Sequence, residues 1–445
     1  MRDFGPTQMA RRNYIIESIK TVYKKFGFQP LETPAMENLS TLTGKYGDEG
    51  DQLLFKVLNS GDFLSKTTAS DYEQGSKTLL PKISEKGLKY DLTVPFARYV
   101  VMNQHELTFP FRRYQIQPVW RADRPQKGRY REFYQCDADV IGTDSLICEA
   151  EIILIINEVF QQLGFTDYTI KMNHRGILTG IAEAIGASGK ESDLFVAIDK
   201  LDKVGLDKVC EELDQKGFSN DGITRLRSIL SIDGDFDKKS AALTELFHSS
   251  KAGNKGLAEV DEILGFVNHT GLDAHHTELD ITLARGLSYY TGAIFEVKVN
   301  NVSIGSVSGG GRYDNLTGVF GLNGMSGVGF SFGIDRLYDC MDELGLFNEQ
   351  DLDFTKVLIV HFNQDTYRYG FKVVNELRQA GIKAELYPDQ SKLKKQFGYA
   401  DKKGIPYTIT IGDDEMVSGL LSLKNMTTGD QQKIDLESII SELSH

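Results

Sequence analysis

Seven cationic side chains crowd into one short stretch of a chain that is acidic overall. From Arg112 to Arg131 there are six arginines and Lys127 against the single Asp123, a net of +6, whereas the whole chain carries −13. Local charge opposed to the global charge marks a candidate polyanion site. Pro125 to Gly128 reads as a tight loop, and Glu132 to Val140 alternates apolar with polar residues as a half-buried strand does. The segment is therefore expected to be a hairpin carrying arginines on its strand ends. Composition alone leaves two readings open: phosphate binding on a rigid hairpin, or a solvated charged loop.

Three further groups could do chemistry. Tyr90-Asp91-Leu92-Thr93-Val94-Pro95 puts a carboxylate and a hydroxyl at the head of an apolar run, which suits either an ammonium grip or a helix N-cap. Leu283 to Gly292 sets Arg285 near Tyr289 and Tyr290, among glycines. Gly327 to Arg336, preceded by Gly309-Gly310-Gly311, places glycines where a strand feeds a helix and Arg336 in the first turns of that helix. Such a junction allows close approach and favours an anion, although glycines there also serve packing alone. Its spacing is neither a dinucleotide fingerprint nor a P-loop.

The elements that must carry these groups can be read around them. A helix is expected after Pro6, with Ile16, Ile19, Tyr23 and Phe26 on one stripe and Gly27 as its stop. Residues 36–90 read as irregular. Ile147 to Leu163 is a helix, and Tyr168 to Met172 and Ala293 to Val299 are strands. Residues 174–272 are dominated by helical patterns, as in an inserted module. Beyond a polar linker at 347–354, strands alternate with helices to the end of the chain, as in a small α/β domain. With 445 residues, two or three domains are expected. The four scattered cysteines disfavour a disulfide framework or a cysteine zinc site. No signal-peptide core and no run of about 18 apolar residues is present, so the expectation is a cytoplasmic protein with no membrane partner. The acidic balance argues against nonspecific coating of DNA.

Together the four groups resemble one family over nearly the whole chain: the histidyl-tRNA synthetases, which are class II aminoacyl-tRNA synthetases. Residues 6–35 are similar to the first class II motif, the arginine hairpin to the second and residues 327–336 to the third. Arg285-Gly286-Leu287 with Tyr289-Tyr290-Thr291-Gly292, and Gly309 to Asp314, resemble the histidine-specific signatures. The resemblance implies an α+β fold, with an antiparallel-sheet catalytic core over 1–173 and 273–346. It also implies a helical insertion at 174–272 and a C-terminal α/β anticodon-binding domain at 355–445.

The resemblance also assigns roles. Arg121 and Arg336 would face the ATP phosphates, with Asp123 beside them, and Phe133 would stack on adenine. Arg285 would contact the α-phosphate and the histidine carboxylate. Asp91, Thr93 and Gln135 would hold the α-ammonium, and Asp139 and Tyr290, with Tyr289, would hold the imidazole. Lys392, Lys394 and Lys395 would meet tRNA. Asp123, Asp139 and Asp335 stand where relatives often carry glutamate, and Ser288 where an aspartate is frequent. L-histidine, ATP with Mg²⁺ and histidine tRNA are the implied partners. The implied assembly is a homodimer, with the 16–26 stripe part of its interface. The rival expectation is a catalytically silent relative that regulates the first enzyme of histidine biosynthesis.

Overall fold

The structure, a computed structural model, describes residues 1–45, 47–271, 276–284, 289–348 and 354–444. The chain divides into two units, Met1–Phe347 and Asn348–His445.

The first unit is organised by an eight-stranded sheet. Across it lie Gln29–Pro30, Phe111–Trp120, Glu132–Ile141, Gly327–Gly333, Ser308–Tyr313, Ala293–Val299, Tyr168–His174 and Thr277–Leu279. The inner pairings are antiparallel and only the two outermost are parallel. Strand alternation splits the sheet into two chemical faces. Cys136, Ala138 and Val140 point one way with Tyr114, Phe330 and Phe332, and all six are buried. Helices Pro6–Lys25 and Ile147–Gln162 cover that face. Tyr23 packs its ring against Tyr114, Phe330 and Phe332, and Phe160 packs against Phe332. Each such ring removed from water contributes roughly 1.5–3 kcal/mol. Phe133, Gln135, Asp137 and Asp139 point the other way, so the same strand that seals the core also floors a polar surface.

The first helix begins with Pro6 in its first turn and stops at Gly27, whose φ of +78° favours glycine. Its stripe is consumed at home: Ile19 and Tyr23 are fully buried in the unit's own core, and Ile16 and Phe26 are half-buried against it. Ile19 and Tyr23 are therefore core residues of this unit, and of the stripe only Ile16 and Phe26 keep some exposed surface. The same helix reaches the third motif. Arg12 and Asp335, both about as buried as core side chains, form an ion pair at 2.7 Å, and Arg2 joins the same carboxylate. The carboxylate at 335 therefore anchors the N-terminal helix, and it also accepts the Tyr134 backbone N–H of the hairpin at 3.3 Å.

Residues 36–90 are more ordered than expected. Met36–Asn38, Lys86–Leu88 and Lys56–Val57 form a three-stranded sheet in that order, with short helices between. Strands of two or three residues are too short to show alternation, which is why the sequence looks irregular there. The segment from Arg175 to His269 is helical throughout, ending in the long helix Lys251–His269, and its buried residues join the core of the sheet.

The second unit has its own core around Val357, Ile359, Val374, Leu377, Ile409 and Leu423. Its five strands run Ala384–Leu386, Val357–His361, Tyr407–Ile411, Leu421–Asn425 and Gln431–Ile434. The first three are parallel and the last two antiparallel. Gln431–Ile434 has no sequence signal because it is a polar, largely exposed edge. Among the described residues, no helix is long and apolar enough to cross a membrane.

Candidate functional site

The polar face of the first sheet can be mapped by register. Arg113 lies opposite Asp139, which lies opposite Gly329, which lies opposite Gly311. One step along, Gln115, Asp137 and Ser331 form the next row, followed by Gln117, Gln135 and Gly333. The glycines have a specific reason. A Cβ on Gly329 would sit 2.0 Å from Asp139 Oδ1, and one on Gly311 would sit 2.7 Å from the Ala293 carbonyl and 3.0 Å from the Tyr290 ring. The floor is bare where Asp139 and Tyr290 need room.

Charge on this floor is concentrated. Arg113 is fully buried and reaches Asp139 at 2.7 Å, Asp137 at 3.8 Å and the Leu92 carbonyl at 3.4 Å. It thereby ties the Asp91–Thr93 segment to the strand that carries Asp139. Tyr313 donates its hydroxyl to Asp139 Oδ1 at 2.7 Å. Asp91 accepts from the Val94 backbone N–H at 3.2 Å and from the Tyr289 hydroxyl at 3.4 Å. Asp91, one residue before the N-cap Leu92, thus takes a backbone N–H from the first turn of helix Thr93–Met102 and meets a signature tyrosine. Thr93 opens that helix, half-buried. Burial, reinforced by the charges of Asp139, Asp137 and Asp91, holds the Tyr290 phenol well above its ordinary pKa. Burial lifts the Asp137 carboxyl to about 7, with Arg113 opposing and Asp139 assisting. Asp139 is raised by burial too, against Arg113 and the Tyr313 hydroxyl.

The hairpin supplies the other end of the site. Arg121 closes its base through a backbone bond to the Arg131 carbonyl at 3.0 Å. Its guanidinium lies between two rings, 4.2 Å from the centre of Tyr90 and 5.1 Å from that of Phe133, and its Nε donates to the Tyr90 carbonyl at 3.1 Å. Asp123 is half-buried, 3.7 Å from Arg129. Arg336 donates Nε to the Gly128 carbonyl at 2.7 Å, so the third motif touches the hairpin loop. Tyr130 and Lys127 reach Asp339 and Glu343 of the same helix at 2.9 Å each. The basic segment is not one uniform patch: Arg113 is the buried partner of Asp139, and Arg112 pairs with Glu151 at 2.7 Å. The polyanion reading of that stretch therefore narrows to Arg121 and the loop.

Arg285 and Ser288 lie outside the described residues. In the second unit Lys392, Lys394 and Lys395 are exposed around the start of helix Leu393–Lys403. Three residues of the floor escape a reading of motifs. Arg113 is hidden within a charge cluster, Tyr313 within a glycine-rich signature, and Asp137 between Gln135 and Asp139. The spacing 135, 137, 139 on one strand face is the signal that could have found the last.

Known proteins similar to this chain fall in one family. Residues 61–337 match the family model described as Histidyl-tRNA synthetase, and residues 356–445 match that described as Anticodon binding domain. Curated relatives named histidine–tRNA ligase include that of Cytophaga hutchinsonii, 57% identical over 99% of this chain and 98% of the relative. That of Porphyromonas gingivalis is 55% identical over 98% of this chain and 96% of the relative. The crystal structure of histidyl-tRNA synthetase from Nostoc sp. superposes with a TM-score of 0.85 at 30% identity, covering 100% of this chain and 97% of that one. The chain belongs to the histidyl-tRNA synthetase family of class II aminoacyl-tRNA synthetases.

Proposed function

We propose that the chain activates L-histidine with ATP and ligates it to histidine tRNA. The observation that carries this reading is the gathering of Asp91, Asp139, Tyr289 and Tyr290, from three separate stretches of sequence, around one buried guanidinium and a glycine floor. A carboxylate and a phenol can satisfy both nitrogens of an imidazole, and a second carboxylate can satisfy an ammonium. Such a site rejects amino acids lacking those atoms by roughly 10⁴-fold or more in the best cases, because its buried polar groups would be left unpaired.

In the first step the histidine carboxylate attacks the α-phosphorus of ATP, and pyrophosphate leaves. In the second a ribose hydroxyl at the 3′ end of the tRNA attacks the acyl carbon, and AMP leaves. Arg121 and Arg336 take phosphate oxygens with Asp123 alongside, and Phe133 lies under the adenine. A guanidinium is suited to this because its planar donors pair bidentately and its charge is permanent. Arg285 is assigned to the α-phosphate and the histidine carboxylate, where fixed positive charge stabilises the transition state. Asp91, Thr93 and Gln135 take the ammonium, and Asp139, Tyr290 and Tyr289 the imidazole. Mg²⁺ enters with ATP as part of the substrate, bridging its phosphates. Lys392, Lys394 and Lys395 contact tRNA, and the enzyme works as a cytoplasmic homodimer. The regulatory-subunit reading is less supported, given full-length relatives named as ligases at 57% and 55% identity. The test is charging: with ATP and Mg²⁺, the protein is expected to load labelled histidine onto bacterial tRNA. Absence of loading, with active tRNA confirmed by a second synthetase, would contradict the proposal.

A further inference from the structure

Gln135 presents an anomaly. Its amide Nε2 donates to Ser331 Oγ at 3.1 Å and, over a longer 3.4 Å, to Asp137 Oδ1. Its Oε1 is buried and accepts no hydrogen bond among the described residues. A buried acceptor left unmade is costly, and it points to a donor that arrives with a ligand. The two ends of a glutamine amide are nearly isosteric, so something must decide which end faces the site. An ionised carboxylate only accepts, so a carboxylate at 137 obliges the amide to turn its N–H₂ downward and its carbonyl oxygen outward. Register supports the placement: Asp137 lies directly across from Ser331, one step along the face from Gln135.

We infer that Asp137 is a positioning residue for the amino-acid site, fixing the Gln135 amide so that its oxygen meets the substrate ammonium. This inference rests on the proposed histidine site. Asp137 does not touch the substrate; it acts through Gln135. Asn at this position would offer an N–H of its own, allowing the amide to turn over and present the wrong end.

The experiment is histidine-dependent ATP–pyrophosphate exchange by the full chain at pH 8, above the value near 7 to which burial lifts Asp137. Asp137→Asn is expected to raise the KM for histidine roughly tenfold or more, the loss of one hydrogen bond to a charged group. The KM for ATP and kcat should stay near those of the parent. Inhibition by 3-(imidazol-4-yl)propionate, which lacks the ammonium, should be unchanged. In a Gln135→Met background the same change should add nothing further. Ser331→Ala removes the other Nε2 acceptor and should move the histidine KM the same way, less far. Additive effects with Gln135→Met, equal weakening of the analogue, or a histidine KM unmoved by both variants would overturn the inference. A parent protein without histidine-dependent exchange would instead overturn the functional reading, and this inference with it.

Discussion

At the scale of single residues, the site is governed by what burial does to charge. Asp137 and Asp139 share one guanidinium in a dry environment, so one carboxyl holds its proton far beyond the ordinary carboxylate range. This has a consequence for stability with a definite sign. Asp137 is raised in the folded protein from an ordinary 3.8 to about 7, with Arg113 opposing the shift and Asp139 and Asp91 favouring it. Between those values the folded chain keeps a proton that the unfolded chain has released, so the contribution of this group to stability falls as pH rises through the window. Asp137→Asn removes that dependence. The difference in Tm between the variant and the parent should therefore become more favourable to the variant from pH 5 to pH 8. Thermal melts across that range check it, and a flat difference would show that Asp137 does not hold its proton.

At the scale of elements, one alternation explains most of the architecture. Strand Glu132–Ile141 gives its even residues to the core and its odd residues to the site, and its neighbours Phe111–Trp120 and Gly327–Gly333 follow suit. That pattern was legible in the sequence, as were the Ile147–Gln162 helix and the hairpin. Cross-strand partners were not. The sequence does not say that Arg113 faces Asp139, because that depends on the register of the hairpin, or that Gly329 lies beneath it, because that pairing joins segments nearly two hundred residues apart. Roles carried over from the family named Asp91, Gln135, Asp139 and Tyr290, but not Arg113, which pairs with Asp139 and reaches the Leu92 carbonyl. The short strands of 36–90 and the polar edge Gln431–Ile434 escaped for a different reason: they lack the length or the apolar face that periodicity needs. The register makes a prediction of its own. Gly329→Ala should drive the new methyl into Asp139 Oδ1 and displace the carboxylate. Misplacement of about an ångström costs on the order of 10²-fold in kcat/KM. Exchange kinetics with histidine measure the loss, and parental kinetics would show that the strand can yield without disturbing the site.

At the scale of the whole molecule, the chain divides at Phe347 into two units. The first unit holds every residue assigned to histidine and ATP, and the second, with its own core and exposed lysines, holds those assigned to tRNA. A chain ending at Phe347 should accordingly retain histidine-dependent exchange while losing most tRNA charging. Both assays on one preparation test this, and equal loss of the two activities would mean that activation depends on the second unit. Net charge fits the same division of labour. A protein at −13 does not attract a polyanion as a whole, so tRNA and ATP must be drawn to local clusters, and binding to both should weaken with salt.

The most direct test is ATP–pyrophosphate exchange by the purified chain, with Mg²⁺ present, against each of the twenty amino acids in turn. Exchange with histidine alone, or with histidine at least roughly 10³-fold ahead of the next amino acid in kcat/KM, is the predicted result for a site whose buried carboxylate and phenol demand an imidazole. Exchange with another amino acid at comparable rate, or none with any, would contradict it.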